Sequence, residues 1–186
     1  MAATRTNKTA DPQQAAMRET TSVGGRSLWD LSHESPLLVI FLRHLGCTFC
    51  KEAVRDAARQ RADIQAAGAR IVFVHMAPEA DAKAFFDGYG MADVQRISDP
   101  EGKLYRAFGL ERAGIKEMLS PSVWTRGISA ILRGNLPGIP RGDMLRMPGA
   151  FVVNQGRVSK SHFHQTIADR PDLSGISKEG LAACRL

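Results

Sequence analysis

Cysteine is scarce in this 186-residue chain, with three in all. A disulfide-stapled secreted scaffold, which needs four or more in a short chain, is therefore excluded. Long apolar runs are missing as well: the most hydrophobic stretch, Pro36 to Leu42, falls far short of the ~20 residues that a transmembrane helix requires. Residues 1–19 hold Arg5, Lys8, Asp11 and Arg18 but no apolar block of the kind a secretory signal carries. The expectation is a soluble, cytoplasmic protein with no membrane partner. The net charge of +6 comes without a helix-turn-helix, a zinc finger or an aromatic-interleaved basic motif. Its excess gathers between Arg106 and Arg146 and reads as a solvated basic face, so no nucleic-acid partner is expected.

What the chain does contain is an ordinary globular composition, 44% hydrophobic and 24% charged, enough for one core in one domain. Residues 1–21 show no sustained apolar period and read as a flexible N-terminal tail, or as a segment that orders against a partner subunit. Residues 22–186 form the domain. Leu37 to Leu42 is apolar throughout and β-branched at two positions, the pattern of a strand buried on both faces. A helix follows from Thr48 to about Ala67, with Cys50, Ala53, Val54, Ala57 and Ile64 on one face and Gly68 as its stop. A second strand around Ile71–Val74, a helix over Glu79–Tyr89, a short strand at Gln95–Ser98 and a helix at Lys103–Phe108 continue the alternation. Such alternation implies an α/β fold, a central mixed sheet flanked by helices. Residues 110–146 break it and read as an insertion. Ala150–Val153 and Arg157–Phe163 then flank Asn154-Gln155-Gly156 as a closing hairpin, and Ser177 is the expected N-cap of a last helix.

Chemistry concentrates in Gly46-Cys47-Thr48-Phe49-Cys50, where a buried strand hands over to a helix at the carboxyl edge of the sheet. The first helical turn favours negative charge, so Cys47 is expected to carry a depressed pKa and to act as nucleophile. Cys50, one turn on and facing inward, is the expected resolving thiol. Thr48 lies in the same turn, and Arg43 and His44 stand just before it as candidate supports for the thiolate. Two inert structural thiols, or half of a zinc site completed by His162 and His164, are the competing readings; no cofactor and no metal are expected. His75 reads as a structural histidine and Cys184 as a tail thiol. Met147-Pro148 precedes the late hairpin, and Pro148 is a candidate cis proline that exposes the Met147 backbone to a substrate chain.

The order Cys-x-x-Cys after a buried strand, a helix behind it and Met147-Pro148 before the hairpin resembles thioredoxin-like proteins from about Ser22 to Ala183. Phe41-Leu42-Arg43-His44-Leu45-Gly46-Cys47-Thr48-Phe49-Cys50, Ile97 to Gly109 and Ala168-Asp169-Arg170-Pro171-Asp172 narrow this. They resemble the peroxiredoxin-like branch of the alkyl hydroperoxide reductase and thiol-specific antioxidant superfamily. The resemblance implies a thiol-dependent antioxidant oxidoreductase that reduces peroxides or disulfides, its electrons returned by a cellular dithiol such as a thioredoxin-like protein. A second copy of the chain is a further candidate partner. Typical members carry Thr-x-x-Cys where this chain has Cys47-x-x-Cys50. Aligned on that pattern Cys50 is the peroxidatic thiol, whereas helix-terminus physics selects Cys47. Arg126, Arg133, Arg141 and Arg146 are candidates for the peroxide-activating arginine of that family. The alternative to an enzyme is a thioredoxin-fold binding module whose dithiol is at most a redox switch.

Overall fold

Leu37 to Phe41 is apolar at every position because both faces of this strand, β1, are covered. The computed structural model describes residues 11–110, 112, 146–164 and 169–184. On one flank β1 pairs in parallel with β2 (Arg70–His75), which pairs in parallel with β3 (Gln95–Ser98). On the other it pairs antiparallel with β4 (Gly149–Asn154), which turns into β5 (Arg157–Phe163). The sheet order is β3-β2-β1-β4-β5, a mixed sheet as expected.

Successive side chains of a strand point to opposite faces, so the sheet divides the core in two. Leu38, Ile40, Ile71, Phe73, Ala150 and Val152 face one side, beneath α3 (Thr48–Ala67), α4 (Glu79–Asp87) and α6 (Leu173–Ala183). Leu37, Val39, Phe41, Val72, Val74 and Phe151 face the other, covered by α1 (Pro12–Glu19), α2 (Leu28–Glu34) and α5 (Lys103–Ala107). The stop expected at Gly68 is found: it is left-handed at φ 100°, and the Ala69 N–H donates to the Ile64 carbonyl at 3.1 Å. No described helix is long and apolar enough to cross a membrane.

Helix α6 lies so close to β4 that a Cβ on Gly180 would stand 2.6 Å from the Val152 Cβ. Glycine to alanine inside an exposed helix gains up to about 1 kcal/mol. Overpacking a filled core costs about 1–3 kcal/mol, so the sign reverses here. Gly180→Ala is expected to lower the unfolding free energy by about 1–2 kcal/mol, read from the midpoint of a urea transition.

Three expectations are corrected. Residues 12–19 of the supposed tail are helical, with Pro12 at the first position, the Asp11 carboxylate accepting from the Gln13 N–H at 3.0 Å, and Met17 fully buried. A helix that buries only Ala16 and Met17 leaves no apolar period to read. Pro148 is trans, since no cis peptide bond occurs among the described residues; its fixed φ is compatible with direct entry into a strand. Ser177 is no cap: α6 opens at Leu173 behind Asp172, and the Ser177 hydroxyl donates to the Leu173 carbonyl one turn back, at 2.9 Å. The expected insertion lies almost wholly outside the described residues.

Candidate active site

Beyond Phe41 the chain leaves the sheet, and Leu42 stays attached through its N–H to the Val74 carbonyl at 2.9 Å. The next residues turn sharply, the Cys47 N–H donating to the His44 carbonyl at 3.0 Å. Cys47 then serves as N-cap of α3, its carbonyl accepting from the Lys51 N–H at 3.0 Å. Its side chain is a thiol where Ser, Thr, Asp or Asn would normally cap. The Phe49 and Cys50 N–H groups face the sulfur without closing a full capping hydrogen bond.

Both thiols are free and nearly covered, Cys47 at 7% exposure and Cys50 at 3%. Their environments separate them. The Cys50 S–H donates to Cys47, which together with the Arg43 guanidinium outweighs burial and brings the Cys47 pKa down to about 6. The Arg43 Nη1 stands 3.9 Å from the Cys47 sulfur. Cys50 is pushed well above the usual thiol range by burial and by Cys47 itself, while its sulfur accepts the Arg43 backbone N–H at 3.2 Å. One thiol is thus prepared as thiolate and its neighbour as proton donor, a division of roles within a single helical turn.

The supports expected around the pair behave differently from one another. Arg43 supplies its charge at Cys47 and its backbone N–H at Cys50. His44 is buried beside that charge, which together hold its pKa down to about 4, and its Nδ1 has no hydrogen-bond partner. It is a neutral ring at physiological pH and contributes no positive charge. Thr48 is buried in the first turn of α3. The register that sets Gly149 opposite Phe41 carries Met147 and Pro148 to the same end of the sheet, with Pro148 buried and Met147 half-buried. The Arg146 Nη1 donates to the Leu110 carbonyl at 3.0 Å, and its charge acts on the buried Tyr105. Arg126, Arg133 and Arg141 lie outside the described residues. Cys184 is exposed at the end of α6, and among the described residues no cluster of three or more metal-binding side chains occurs.

Two elements of the site carried no separate signal in the sequence. Tyr105, fully buried, donates its hydroxyl to the carbonyls of Leu42 and, at 3.0 Å, Val74, tying the ends of β1 and β2 beneath the dithiol. It is delivered there by Asp99, whose carboxylate accepts the N–H groups of Lys103 at 2.9 Å and Leu104 at 2.8 Å and so starts α5. The second is a narrow pocket of about 30 Å³ beside Cys50, walled by Phe49 and Ala53 of α3, by Pro148, and by His164 and Arg170. Its lining is mostly apolar side chain, which periodicity alone cannot distinguish from core.

Comparison with known proteins adds a lineage. A family profile described as "AhpC/TSA antioxidant enzyme" matches residues 57–166, a span that begins after Cys50. The prostamide/prostaglandin F synthase of Danio rerio is 26% identical over 158 residues, covering 82% of this chain and 76% of that protein. Human peroxiredoxin-like 2C is 26% identical over 158 residues, 79% of this chain and 68% of its own. Among solved structures, peroxiredoxin Q of Xanthomonas campestris superposes with a TM-score of 0.60 at 17% identity, over 92% of each chain. At that identity the likeness establishes the fold, which is thioredoxin-like.

Proposed function

Because the chain belongs to the AhpC/TSA antioxidant enzyme family, we propose that it is a peroxiredoxin-like thiol oxidoreductase in which Cys47 reduces a peroxide and Cys50 resolves the product. The observation that carries this reading is the inequality of the pair, a Cys47 titrating near 6 against a Cys50 held protonated. The Cys47 thiolate attacks the terminal peroxide oxygen and the O–O bond breaks. The departing alkoxide or hydroxide takes a proton and leaves as alcohol or water, and Cys47 becomes a sulfenic acid. The Cys50 sulfur then attacks the Cys47 sulfur, the S–O bond breaks, water leaves with the Cys50 proton, and the intramolecular disulfide forms. An external dithiol such as a thioredoxin-like protein returns two electrons and two protons.

Cys47 in the place of the family's threonine favours a second reading, in which the same thiolate attacks a substrate disulfide. Relatives named prostamide/prostaglandin F synthase direct attention to a bulkier organic substrate.

One experiment separates the readings. After one equivalent of hydrogen peroxide, mass spectrometry is expected to show loss of two hydrogens and a Cys47–Cys50 disulfide, with Cys184 unmodified. In the Cys50→Ser variant a sulfenic acid is expected on Cys47. A sulfenic acid on Cys50 in a Cys47→Ser variant would assign the peroxidatic role to Cys50 instead. Oxidation of either thiol no faster than free cysteine leaves the disulfide reductase.

A further inference from the structure

We propose that His162 and His164 form a two-imidazole site for a divalent transition-metal ion at the end of β5. The site is separate from the dithiol chemistry and does not depend on it.

Residues two apart along a strand point to one face of the sheet, and the pairing fixes which face. His162 stands opposite Ala150 of β4 and so shares the Ala150 side of the sheet, with His164 one residue past the end of β5. Phe163, between them, turns the other way, its ring meeting Phe151 edge-on at 5.3 Å. The two imidazoles consequently lie side by side, their centroids 5.4 Å apart and their planes at 73°. Each ring keeps one covered nitrogen with no hydrogen-bond partner, Nε2 on His162 and Nδ1 on His164. Covered polar atoms ordinarily have partners, so two such atoms on neighbouring rings point to a ligand that both rings hold.

The donors decide what that ligand is. Neutral imidazoles suit zinc, copper and nickel, whereas magnesium and calcium seek oxygen. Two imidazoles on one tetrahedral ion, with metal–nitrogen bonds of about 2.0–2.1 Å, hold their centroids about 5 Å apart, close to the separation found. Burial and the neighbouring His162 ring disfavour the protonated form of His164, which leaves it a lone pair to offer, and the Asp169 carboxylate favours positive charge beside it. Among the described residues no third side chain extends the pair into a larger cluster, so water completes the coordination shell. Such an ion exchanges with solvent, unlike one enclosed by four protein ligands.

The test titrates zinc chloride, in a non-coordinating buffer, into wild-type protein carrying isotope-labelled histidine, and follows the imidazole signals by NMR. Variants lacking one histidine at a time assign the signals. Those of His162 and His164 are expected to shift together and to saturate, with His33 and His75 unmoved. A shift at His44 alone, the ring beside the dithiol, would mean that the thiols take the zinc, and it overturns the site. So does a shift at only one of the two rings, or at neither by about 1 mM zinc. Calorimetry on a chain with Cys47, Cys50 and Cys184 replaced by serine then reads the histidines without the thiols. Zinc is expected to bind with a single saturating phase, and His162→Gln and His164→Gln are each expected to weaken it by about 10–100-fold, the range already seen when a group that merely orients a ligand is lost. An affinity unchanged within about twofold in both variants overturns the proposal. If the serine-substituted chain does not fold, the wild-type titration decides.

Discussion

Replacing Cys47 by serine is expected to lower peroxide turnover by about 10⁶-fold, the scale on which loss of a covalent nucleophile is felt. A serine hydroxyl in the same place keeps the turn and the start of α3 but has no accessible anion near neutral pH, and neither Arg43 nor the Cys50 S–H can create one. Cys50 is not positioned to substitute, because burial and the neighbouring sulfur hold its proton on. Cys50→Ser is expected to behave differently: it retains a single rapid turnover and then stops with Cys47 oxidised. Coupled consumption of a thioredoxin-like reductant in the steady state, together with a stopped-flow first turnover, distinguishes the two. A Cys47→Ser protein that keeps its first turnover would move the nucleophile to Cys50 and restore the Thr-x-x-Cys alignment.

The second large effect is on pH dependence. The reactive form is the thiolate, and a pKa near 6 places the acid limb of the alkylation profile there, well below the ~8.5 of an ordinary thiol. The Cys50 S–H is the first cause and Arg43 a lesser one, so Cys50→Ala is expected to raise the midpoint more than Arg43→Met. Cys50→Ser, which keeps an O–H donor, is expected to raise it less than Cys50→Ala. With both supports removed and the midpoint returned to ~8.5, thiolate at pH 6 falls from about half to about 0.3%. A more basic sulfur is a better nucleophile, however, and a Brønsted slope of 0.4–0.5 returns about 13-fold over such a shift. The double variant is thus expected to be alkylated about tenfold more slowly at pH 6 and about tenfold faster at pH 9, the curves crossing near pH 7.5. A uniform loss at every pH would mean that the supports act on shape and not on charge. Stability carries the same sign. The depressed pKa contributes stability present above the ordinary thiol range and lost as pH falls through about 6.

The parts of the fold legible in the sequence were those whose signals are local. Leu37–Phe41 is apolar throughout because both faces are buried, and the Thr48–Ala67 helix ends where Gly68 supplies a left-handed residue. The hairpin at Asn154-Gln155-Gly156 could be placed because two consecutive positive φ angles, 50° and 69°, demand permissive residues. α1 has no local signal because its fit is tertiary: Met17 enters the second core while Arg18 stacks over Trp29 at 3.3 Å. At the site, the strand-to-helix junction located Cys47 and Cys50, but the sequence could not show that Arg43 reaches Cys47 whereas His44 is buried neutral. Both residues precede the pair, and only the turn at His44 decides which side chain faces the sulfur. Arg170 gives no local signal, since its partners Glu52 and Asp56 are more than a hundred positions away along the chain.

The hydrogen bond that the Cys50 thiol donates to Cys47 also biases the direction of electron flow. Whatever stabilises the Cys47 thiolate stabilises the reduced dithiol and is absent from the disulfide, in which neither sulfur carries charge. Every tenfold of that stabilisation raises the midpoint potential of the pair by about 30 mV. The proposed Cys47–Cys50 disulfide is thereby expected to lie above an unassisted dithiol on the redox scale, as the better electron acceptor. In the proposed cycle its re-reduction by a low-potential cellular dithiol is expected to run downhill, so that the feature that arms the nucleophile would also draw the cycle to completion.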